Sequence, residues 1–353
     1  MSKSIQLAQG AGGQAMQELL SNFILDALRF PSSFMPDLSL EDLDDASAIR
    51  NIALSTDSHT VKPLFFPGGD IGTLSVAGTV NDLIMVGAEP IALSLGLILE
   101  EGLPIDILEK VMASIGKCSR ACGVPVITGD TKVVERGAVD EMITNTSGIG
   151  VRSPALDQNL ARVKRSRPVE SKWLKDSNLR EGDLIIVSGS VGDHGVALLS
   201  FREGYGFEAE GLASDIAPLN KMIMDCLEVG GISAMKDPTR GGLANTLNEW
   251  SQKSGRGILV EEERIPIKDS VLAACEMLGL DPLEIGNEGK AVIGVVPEAA
   301  DDVLSAMKNH PEGRDCVVIG RVTKTTPLVV MKTRVGGKRV IETPLGDPIP
   351  RIC

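Results

Sequence analysis

Aromatic residues are scarce in this sequence, and the signals of several common protein classes are missing from it. Phe, Trp and Tyr supply 3% of the 353 residues, so a core has to be built mainly from Leu, Ile, Val, Ala and Met. No apolar run reaches the ~18 residues of a membrane-spanning helix, and the start of the chain lacks the apolar stretch of a secretion signal. The net charge of −13 argues against a nucleic-acid partner, because backbone phosphates need a basic surface.

Disulfides are not expected either. Six cysteines stand at 118, 122, 226, 275, 316 and 353, and a chain of this length can bury a core without cross-links. Without an export signal, reduced thiols and a cytoplasmic location are the expectation. Cys118 and Cys122 share one face of a predicted helix, but with only three histidines in the chain we interpret the pair as packing. Cys226, Cys275 and Cys316 stand among apolar residues and are predicted to lie in the core.

Two α/β domains are predicted from the alternation of strand and helix patterns. We place the N-terminal domain at residues 1–155, a linker at 156–182, the C-terminal domain at 183–342 and a flexible tail at 343–353. The linker holds the densest basic cluster, Arg162, Lys164, Arg165 and Arg167, which we interpret as solvated. In the second half, helices are predicted at 214–229, 241–253, 268–278 and 298–308, and strands at 257–262, 291–296, 315–322, 327–332 and 338–342.

Aspartates occupy positions that favour a magnesium site. Asp57 and Asp130 are predicted at strand ends, Asp45 follows Asp44 and precedes Ala46, and Asp237 opens "DPTRGG". Asp82 lies in a helix with apolar residues at 71, 74, 77, 80, 83 and 84, where a carboxylate is costly to bury unless it is paired. Mg²⁺ takes oxygen ligands and shares them with substrate phosphates. The other interpretation stays open, because a lone aspartate often only caps a helix or closes a turn.

Glycine-rich turns suggest a phosphate site of an unusual kind. "GAGG" at 10–13 and "TRGG" at 239–242 could let backbone N–H groups approach phosphate oxygens, or could be simple turns. Neither a P-loop nor a dinucleotide-binding fingerprint is present. Lys132 follows Asp130, and Glu288 lies in "GNEGK"; both are either surface charges or a proton-transfer pair beside a phosphate.

Four segments together closely resemble the HypE family of carbamoyl dehydratases: "GDLIIVSGSVGDHGVALLSFREG", "KDPTRGGLANTLNEW", "LGLDPLEIGNEGKAVIGV" and the terminal "PRIC". The resemblance runs from "GAGG" to Cys353. It implies a two-domain architecture shared with aminoimidazole ribonucleotide synthetase and selenophosphate synthetase, with a dimeric β-barrel formed by the N-terminal domains. One departure is Gln9-Gly10, where family members often have His-Gly.

The resemblance also implies a reaction. A partner carbamoyltransferase, HypF, would load a carboxamide onto Cys353, ATP-dependent dehydration would convert it to a thiocyanate, and a HypC–HypD scaffold would receive the cyanide for the iron of [NiFe]-hydrogenase. We assign Cys353, Lys132 and Glu288 to catalysis. Mg²⁺ is assigned to Asp45, Asp82 and Asp237, and ATP to Gly12, Gly13, Asp57, Asp130, Gly241 and Gly242.

The tail explains why a thiol ends the chain. Prolines at 344, 348 and 350 stiffen a segment that could reach both a partner and the ATP site, and Arg351 is expected to favour the thiolate. Two other functions remain: a related ATP-dependent enzyme acting on a free small substrate, and a non-catalytic scaffold that docks a partner through the tail.

Overall fold

The computed structural model describes residues 4–10, 12–28, 36–202, 211–324, 326–346, 348–349 and 351–353. Three parts of the motifs above lie outside these ranges: Ala11 of the first glycine-rich turn, the Glu203-Gly204 end of "HGVALLSFREG", and Pro350 of the terminal motif.

The N-terminal half is built around one mixed sheet. The strands of this sheet are β1 (Ser47–Ile49), β2 (Ile52–His59), β5 (Ala88–Glu100), β6 (Val126–Val134) and β7 (Met142–Arg152), while β3 (Phe65–Phe66) and β4 (Gly69–Asp70) form a separate two-stranded sheet. The helices of this half are α1 (Gly13–Leu19), α2 (Leu25–Leu28), α3 (Ile71–Met85) and α4 (Ile105–Cys122), with a π-helical segment, Leu20–Ile24, between α1 and α2, and 3-10 helices at Leu7–Gly10 and Leu40–Asp42. The sheet order is β1-β2-β7-β5-β6, with β5 and β6 parallel and the other pairs antiparallel.

Two predicted strand ends are wrong. β2 continues to His59 and β6 to Val134, so Asp57 pairs with Thr146 and Asp130 pairs with Gly96 inside the sheet. A neighbouring strand supplies main-chain partners that a local pattern does not reveal, and a polar side chain is tolerated there because successive strand residues face opposite sides.

One face of this sheet is covered and the other is open. Helix α3 packs on β2, β5 and β7, and α4 packs on α3. On the opposite face Leu54 of β2 stands beside Ile149 of β7, and they are 54% and 39% exposed. Ile98 of β5, which pairs with Lys132 of the edge strand β6, is also exposed. The described residues of the chain therefore leave this apolar sheet face exposed.

The C-terminal half holds a seven-stranded sheet in the order β14-β13-β10-β12-β8-β11-β9. The strands are β8 (Leu184–Val187), β9 (Ile232–Lys236), β10 (Gly257–Glu261), β11 (Val292–Val295), β12 (Val317–Thr323), β13 (Val329–Lys332) and β14 (Lys338–Val340). The helices are α5 (Pro154–Ser166), α6 (Asp193–Phe201), α7 (Asn220–Val229), α8 (Gly242–Ser254), α9 (Asp269–Leu278) and α10 (Ala300–Lys308), with 3-10 helices at Asp176–Asn178, Glu262–Arg264, Pro282–Glu284, Pro297–Ala299 and Pro311–Gly313. The strands and helices predicted after residue 213 are confirmed, although α7 begins six residues late, at Asn220.

The segment predicted as a solvated linker contains helix α5. Ser153 caps this helix by accepting a hydrogen bond from the Leu156 N–H group. Buried Asn159 accepts a hydrogen bond from the Ile232 N–H group (2.7 Å) and donates one to the Ile232 carbonyl (2.8 Å). The charged residues occupy the outer face, and this masked the helical period. The packing predicted for Cys118, Cys122, Cys226, Cys275 and Cys316 is confirmed, since all five are buried and unpaired.

The tail is part of the core, although its sequence lacks a core pattern. Ile349 and Ile352 are 0% and 3% exposed and join the cluster that contains Val196 and Ile285. The absence of a side chain at Gly195 makes room for them, because a Cβ atom there would lie 2.6 Å from Ile349 Cδ1 and 3.2 Å from Ile352 Cδ1. No helix within the described ranges is long and apolar enough to cross a membrane.

Candidate active site

A cavity of about 500 Å³ lies between the two halves of the chain. Its walls come from α1, the loop before β1, β2 and α3 on one side, and from the β9–α8 connection, α8 and the "NEGK" turn on the other. The basic residues in the lining are Lys236, Arg240 and Lys253, and the acidic ones are Glu41, Asp42, Asp44, Asp45, Asp57, Asp82, Asp237, Glu249 and Glu288. With this excess of carboxylates, the cavity needs added positive charge before it can hold a nucleotide.

The three predicted magnesium ligands meet here. Burial and its neighbours raise the pKa of Asp45 to about 7, although Lys236 opposes the shift, and burial raises the pKa of Asp237 to about 6. Burial, followed by the charges of Asp237, Asp57 and Asp45, raises the pKa of Asp82 well above its usual range. These carboxylates therefore destabilise one another when ionised, and a bound cation would relieve that repulsion.

Asp57 is kept ionised by its surroundings. Burial opposes its ionisation, but His59 and Arg240 outweigh burial and lower its pKa to about 2. His59 Nε2 lies 3.1 Å from Asp57 Oδ2. Asp57 is thus negatively charged and lies beside the carboxyl groups whose pKa values are raised.

A buried ion network supports the acidic loop. Lys236 Nζ lies 2.6 Å from Asp45 Oδ1 and 3.3 Å from Glu249 Oε2. Lys253 Nζ donates to Asp176 Oδ2 (2.7 Å) and to the Leu43 carbonyl (2.7 Å). The loop before β1 is therefore tied to β9 and α8 of the other half, and Asp45 is held at the cavity.

The "NEGK" turn presents Glu288 to the same cavity. The Glu288 N–H group donates to Asp215 Oδ1 (3.0 Å), and the backbone of Asp215 lies so close to Gly289 that no side chain fits there. Glu288 is 4% exposed. Burial, with the charges of Asp237, Asp57 and Asp215, raises the pKa of Glu288 well above its usual range. Such a carboxylate binds protons more tightly than an exposed one and suits general-base work near neutral pH.

Cys353 lines this cavity because the backbone before it is fixed by a series of hydrogen bonds. A main-chain oxygen of Cys353 accepts from the Thr60 N–H group (3.0 Å) and from Thr60 Oγ1 (3.2 Å). His194 Nε2 lies 2.9 Å from the Ile352 carbonyl oxygen, and Arg202 donates to the Arg351 carbonyl (2.9 Å). The main-chain oxygens of three successive residues are thus held, and Cys353 is placed in the cavity with the carboxylates.

Arg351, which the sequence predicts to favour the thiolate, has partners that secure the tail. Its guanidinium donates to the Thr60 carbonyl (2.7 Å) and to Asp140 Oδ2 (2.6 Å). Arg240 also interacts with Cys353 through charge, since Cys353 is the largest of the causes that raise the pKa of Arg240, ahead of Asp57, Glu288 and Asp82 and against the effect of burial.

Four of the predicted residues do not line the cavity of their own chain. Asp130 and Lys132 lie on the exposed edge strand β6, where Lys132 Nζ is 2.9 Å from Asp130 Oδ2 and both side chains are about 70% exposed. Gly241 and Gly242 form the start of α8, where Gly242 packs against the carbonyl groups of Leu283 and Ile285. Thr239 and Arg240 line the cavity in their place, and Gly12 and Gly13 line it as well.

The donor set fits Mg²⁺ brought in with a nucleotide better than a resident ion. Within the described ranges, no three His, Cys, Asp or Glu side chains form a ready-made metal site. Asp45, Asp82 and Asp237 nevertheless share one cavity. Mg²⁺ is commonly held by one or two carboxylates together with substrate phosphates, so phosphate oxygens would complete its coordination here.

Sequence reasoning missed Lys236, Arg240 and the residues that hold the tail, Thr60 and His194. Lys236 and Arg240 stand on either side of Asp237 in "KDPTRGG". The combination of basic and acidic residues in this motif could have indicated that they share a site. Thr60 and His194 had no local signal, because their partners stand 293 and 158 residues away.

The two halves match known family models. Residues 43–152 match "AIR synthase related protein, N-terminal domain", and residues 180–332 match "AIR synthase related protein, C-terminal domain". The chain therefore belongs to the AIR synthase related proteins and has their two-domain fold.

Similarity over the whole length narrows this class. The chain is 48% identical over 349 residues to a putative hydrogenase expression/formation protein of Methanocaldococcus jannaschii, covering 98% of each chain. It is 45% identical to carbamoyl dehydratase HypE of Rhizobium leguminosarum bv. viciae, covering 99% of this chain and 95% of the relative, and 42% identical to the Escherichia coli protein of the same name, covering 99% of each. The chain belongs to the HypE family.

Solved structures agree. A crystal structure of HypE in complex with ATP has a TM-score of 0.78 and 42% identity, covering 99% of this chain and 100% of that one. A structure of a HypE–HypF complex has a TM-score of 0.82 and 40% identity, covering 92% and 99%.

Proposed function

We propose that this chain is an ATP-dependent carbamoyl dehydratase whose substrate is its own last residue. A carboxamide on the sulfur of Cys353 is converted to a thiocyanate, and ATP becomes ADP and phosphate, the phosphate taking up the carboxamide oxygen. The observation that carries this proposal is the position of Cys353 in the acidic cavity beside Glu288 and Arg240. Relatives named carbamoyl dehydratase HypE, and a HypE structure with ATP, support it.

ATP and Mg²⁺ are assigned to the acidic cavity. Gly12 and Gly13 leave space for phosphate, while Asp45, Asp82 and Asp237 are the carboxylates available to Mg²⁺. The lining holds nine carboxylates and three basic side chains, so it has an excess of negative charge. Mg²⁺ would offset part of that excess. ATP supplies a phosphoryl group that turns the carboxamide oxygen into a leaving group.

Glu288 is assigned as the base. Dehydration requires removal of a proton from the carboxamide nitrogen, and Glu288 is the buried carboxylate of the "NEGK" turn with a strongly raised pKa. Three other carboxylates of the cavity, Asp45, Asp82 and Asp237, are assigned to the metal.

Lys132 and Asp130 reach a site only in a homodimer. They lie on strand β6, on the sheet face that also exposes Leu54, Ile98 and Ile149. A second copy packed on this face would bury the apolar residues and form the shared barrel, with Lys132 of one subunit serving the cavity of the other. ATP would then bind near the subunit boundary.

Mixed dimers test that arrangement. A Lys132→Met subunit and a Glu288→Gln subunit should each be inactive alone. Mixed together, they should regain dehydration, because one of the two sites then combines Glu288 of one chain with Lys132 of its partner. If every mixture stays inactive while dimers form, Lys132 does not act across the boundary.

The central reaction is tested by mass spectrometry of the intact chain. After loading by a HypF-type carbamoyltransferase, addition of Mg-ATP should remove the mass of one water from Cys353, and Cys353→Ala should take up no label. An enzyme that acts on a free substrate would keep its activity in Cys353→Ala, and a scaffold would leave the loaded mass unchanged. The cyanide would then pass to a HypC–HypD scaffold, and the reaction belongs to the cytoplasm, where hydrogenase precursors are assembled.

A further inference from the structure

Arg240 stands where the acidic cavity meets a second one. This second cavity, of about 400 Å³, is lined mainly by the tail and the N-terminal segment, including Leu7, Ala8, Ile349 and Ile352. Among the described residues, Arg240 and Cys353 are the two that line both cavities. Arg240 and Cys353, the residue that carries the reacting thiol, therefore both border the place where the two cavities meet.

Among the described residues, none forms a direct bond to the Arg240 side chain. Within the described part of the chain the guanidinium makes no hydrogen bond and no ion pair closer than 4 Å, unlike Lys236 and Lys253, which are both bonded to carboxylates. The Arg240 guanidinium stays charged because nearby negative groups raise its pKa. The largest effect comes from Cys353, and smaller effects come from Asp57, Glu288 and Asp82. A charged group with five unoccupied N–H donors suits an anion that arrives during the reaction.

Arg240 also has a phosphate-binding neighbour. A Cβ atom on Gly12 would lie 3.0 Å from the Cβ atom of Arg240, so this glycine-rich turn lies directly against the arginine. Arg240 thus lines the same cavity as the predicted phosphate turn, the base Glu288 and Cys353, and it is in direct contact with that turn.

We propose that Arg240 is a catalytic residue that binds the phosphoryl group while it moves from ATP to the carboxamide oxygen on Cys353. The carboxamide oxygen forms a bond to the γ-phosphorus, and the bond from that phosphorus to ADP breaks with its electron pair going to ADP. The O-phosphorylated carboxamide loses one of its two N–H protons to water. The second N–H proton then passes to the base, the C–O bond breaks, and phosphate leaves as the C≡N bond forms. Negative charge is concentrated on the phosphoryl oxygens in both steps, and a planar guanidinium contacts such oxygens through two N–H groups. This inference rests on the proposed function.

The test compares Arg240→Gln with Arg120→Gln, which makes the same charge change on exposed helix α4. Binding of Mg²⁺ with ADP and aluminium fluoride, a mimic of the transferring phosphoryl group, should weaken at least ~100-fold in Arg240→Gln, because such arginines act mainly in the transition state. Binding of Mg²⁺ with a non-hydrolysable ATP analogue should change less than about threefold. Arg120→Gln should match the parent in both.

Two further readouts separate this role from a structural one. Dehydration by loaded Arg240→Gln should fall at least ~100-fold, with partial recovery in Arg240→Lys or on adding guanidinium ion to Arg240→Gly. Release of Cys353 by carboxypeptidase should proceed at the parental rate. Equal loss of both nucleotide affinities, or faster tail release, would overturn the proposal, since Arg240 would then be a general binding or tail-anchoring residue. If the parent itself fails to dehydrate, the proposed function fails, whereas the nucleotide-binding comparison still tests Arg240.

Discussion

Shortening the Ile352 side chain should weaken docking of the tail at the cavity without preventing its release to a partner enzyme. Ile352 is 3% exposed, and its Cδ1 atom packs where Gly195 and Gly286 have no side chain. Removing a buried Ile side chain beyond Cβ costs about 2–5 kcal/mol, and Ile→Val about 0.5–1.5 kcal/mol. The cost falls on docking of the tail because Ile352 is the next-to-last residue and its packing is lost whenever the tail leaves the core.

The docking equilibrium should therefore fall about 30- to 4000-fold in Ile352→Ala and about 2- to 12-fold in Ile352→Val, taking about 1.4 kcal/mol for each factor of ten. Single-turnover dehydration of the loaded chain at saturating Mg-ATP should decline in that order once the undocked form predominates. Carbamoyl loading should persist or accelerate, because a partner enzyme needs the tail released.

Leu345→Ala is the matched control, since Leu345 lies in the same tail and is 78% exposed. It should dehydrate at the parental rate. If Ile352→Ala behaves like Leu345→Ala, or loses loading and dehydration together, docking through Ile352 is not what brings the thiol to the cavity.

Three further outcomes are expected. Glu288→Gln should accept the carbamoyl group but dehydrate it about 100- to 10,000-fold more slowly, and full conversion by mass spectrometry would remove Glu288 from the role of base. Asp82→Asn should raise the Tm of the nucleotide-free protein, because burial and then the charges of Asp237, Asp57 and Asp45 disfavour an ionisable carboxyl group at this position. The same substitution should abolish Mg-ATP-dependent dehydration, and a lower Tm would contradict this account of the site. Burial, opposed by Asp215 and the Ile352 carbonyl, lowers the pKa of His194 from its ordinary 6.5, so the stability it contributes is present above pH 6.5 and is lost as the pH falls below that value. In urea titrations His194→Gln should therefore lose less stability than the parent between about pH 7 and pH 5, and identical slopes would refute the assignment.

The sequence by itself determined the secondary structure in most places, because periodicity and turn residues act over short distances. The helices near 241–253 and 268–278 and the buried strands of the second half were readable from that pattern. Helix α5 was not, since its charged outer face hid the buried positions of Leu156, Leu160 and Val163. The motif containing Glu288 and the terminal position of Cys353 were also visible in the sequence alone.

Only the tertiary structure decided which of these residues meet. Asp45, Asp57, Asp82 and Asp237 come from four separate segments, and their convergence depends on how the two halves pack. The same packing placed Arg240 in the cavity that Cys353 lines, brought Arg351 to Thr60 and Asp140, and left Lys132 on the exposed edge strand. A local pattern records which residues form a helix or strand, whereas charge and proton affinity at a site depend on contacts between residues far apart in the chain.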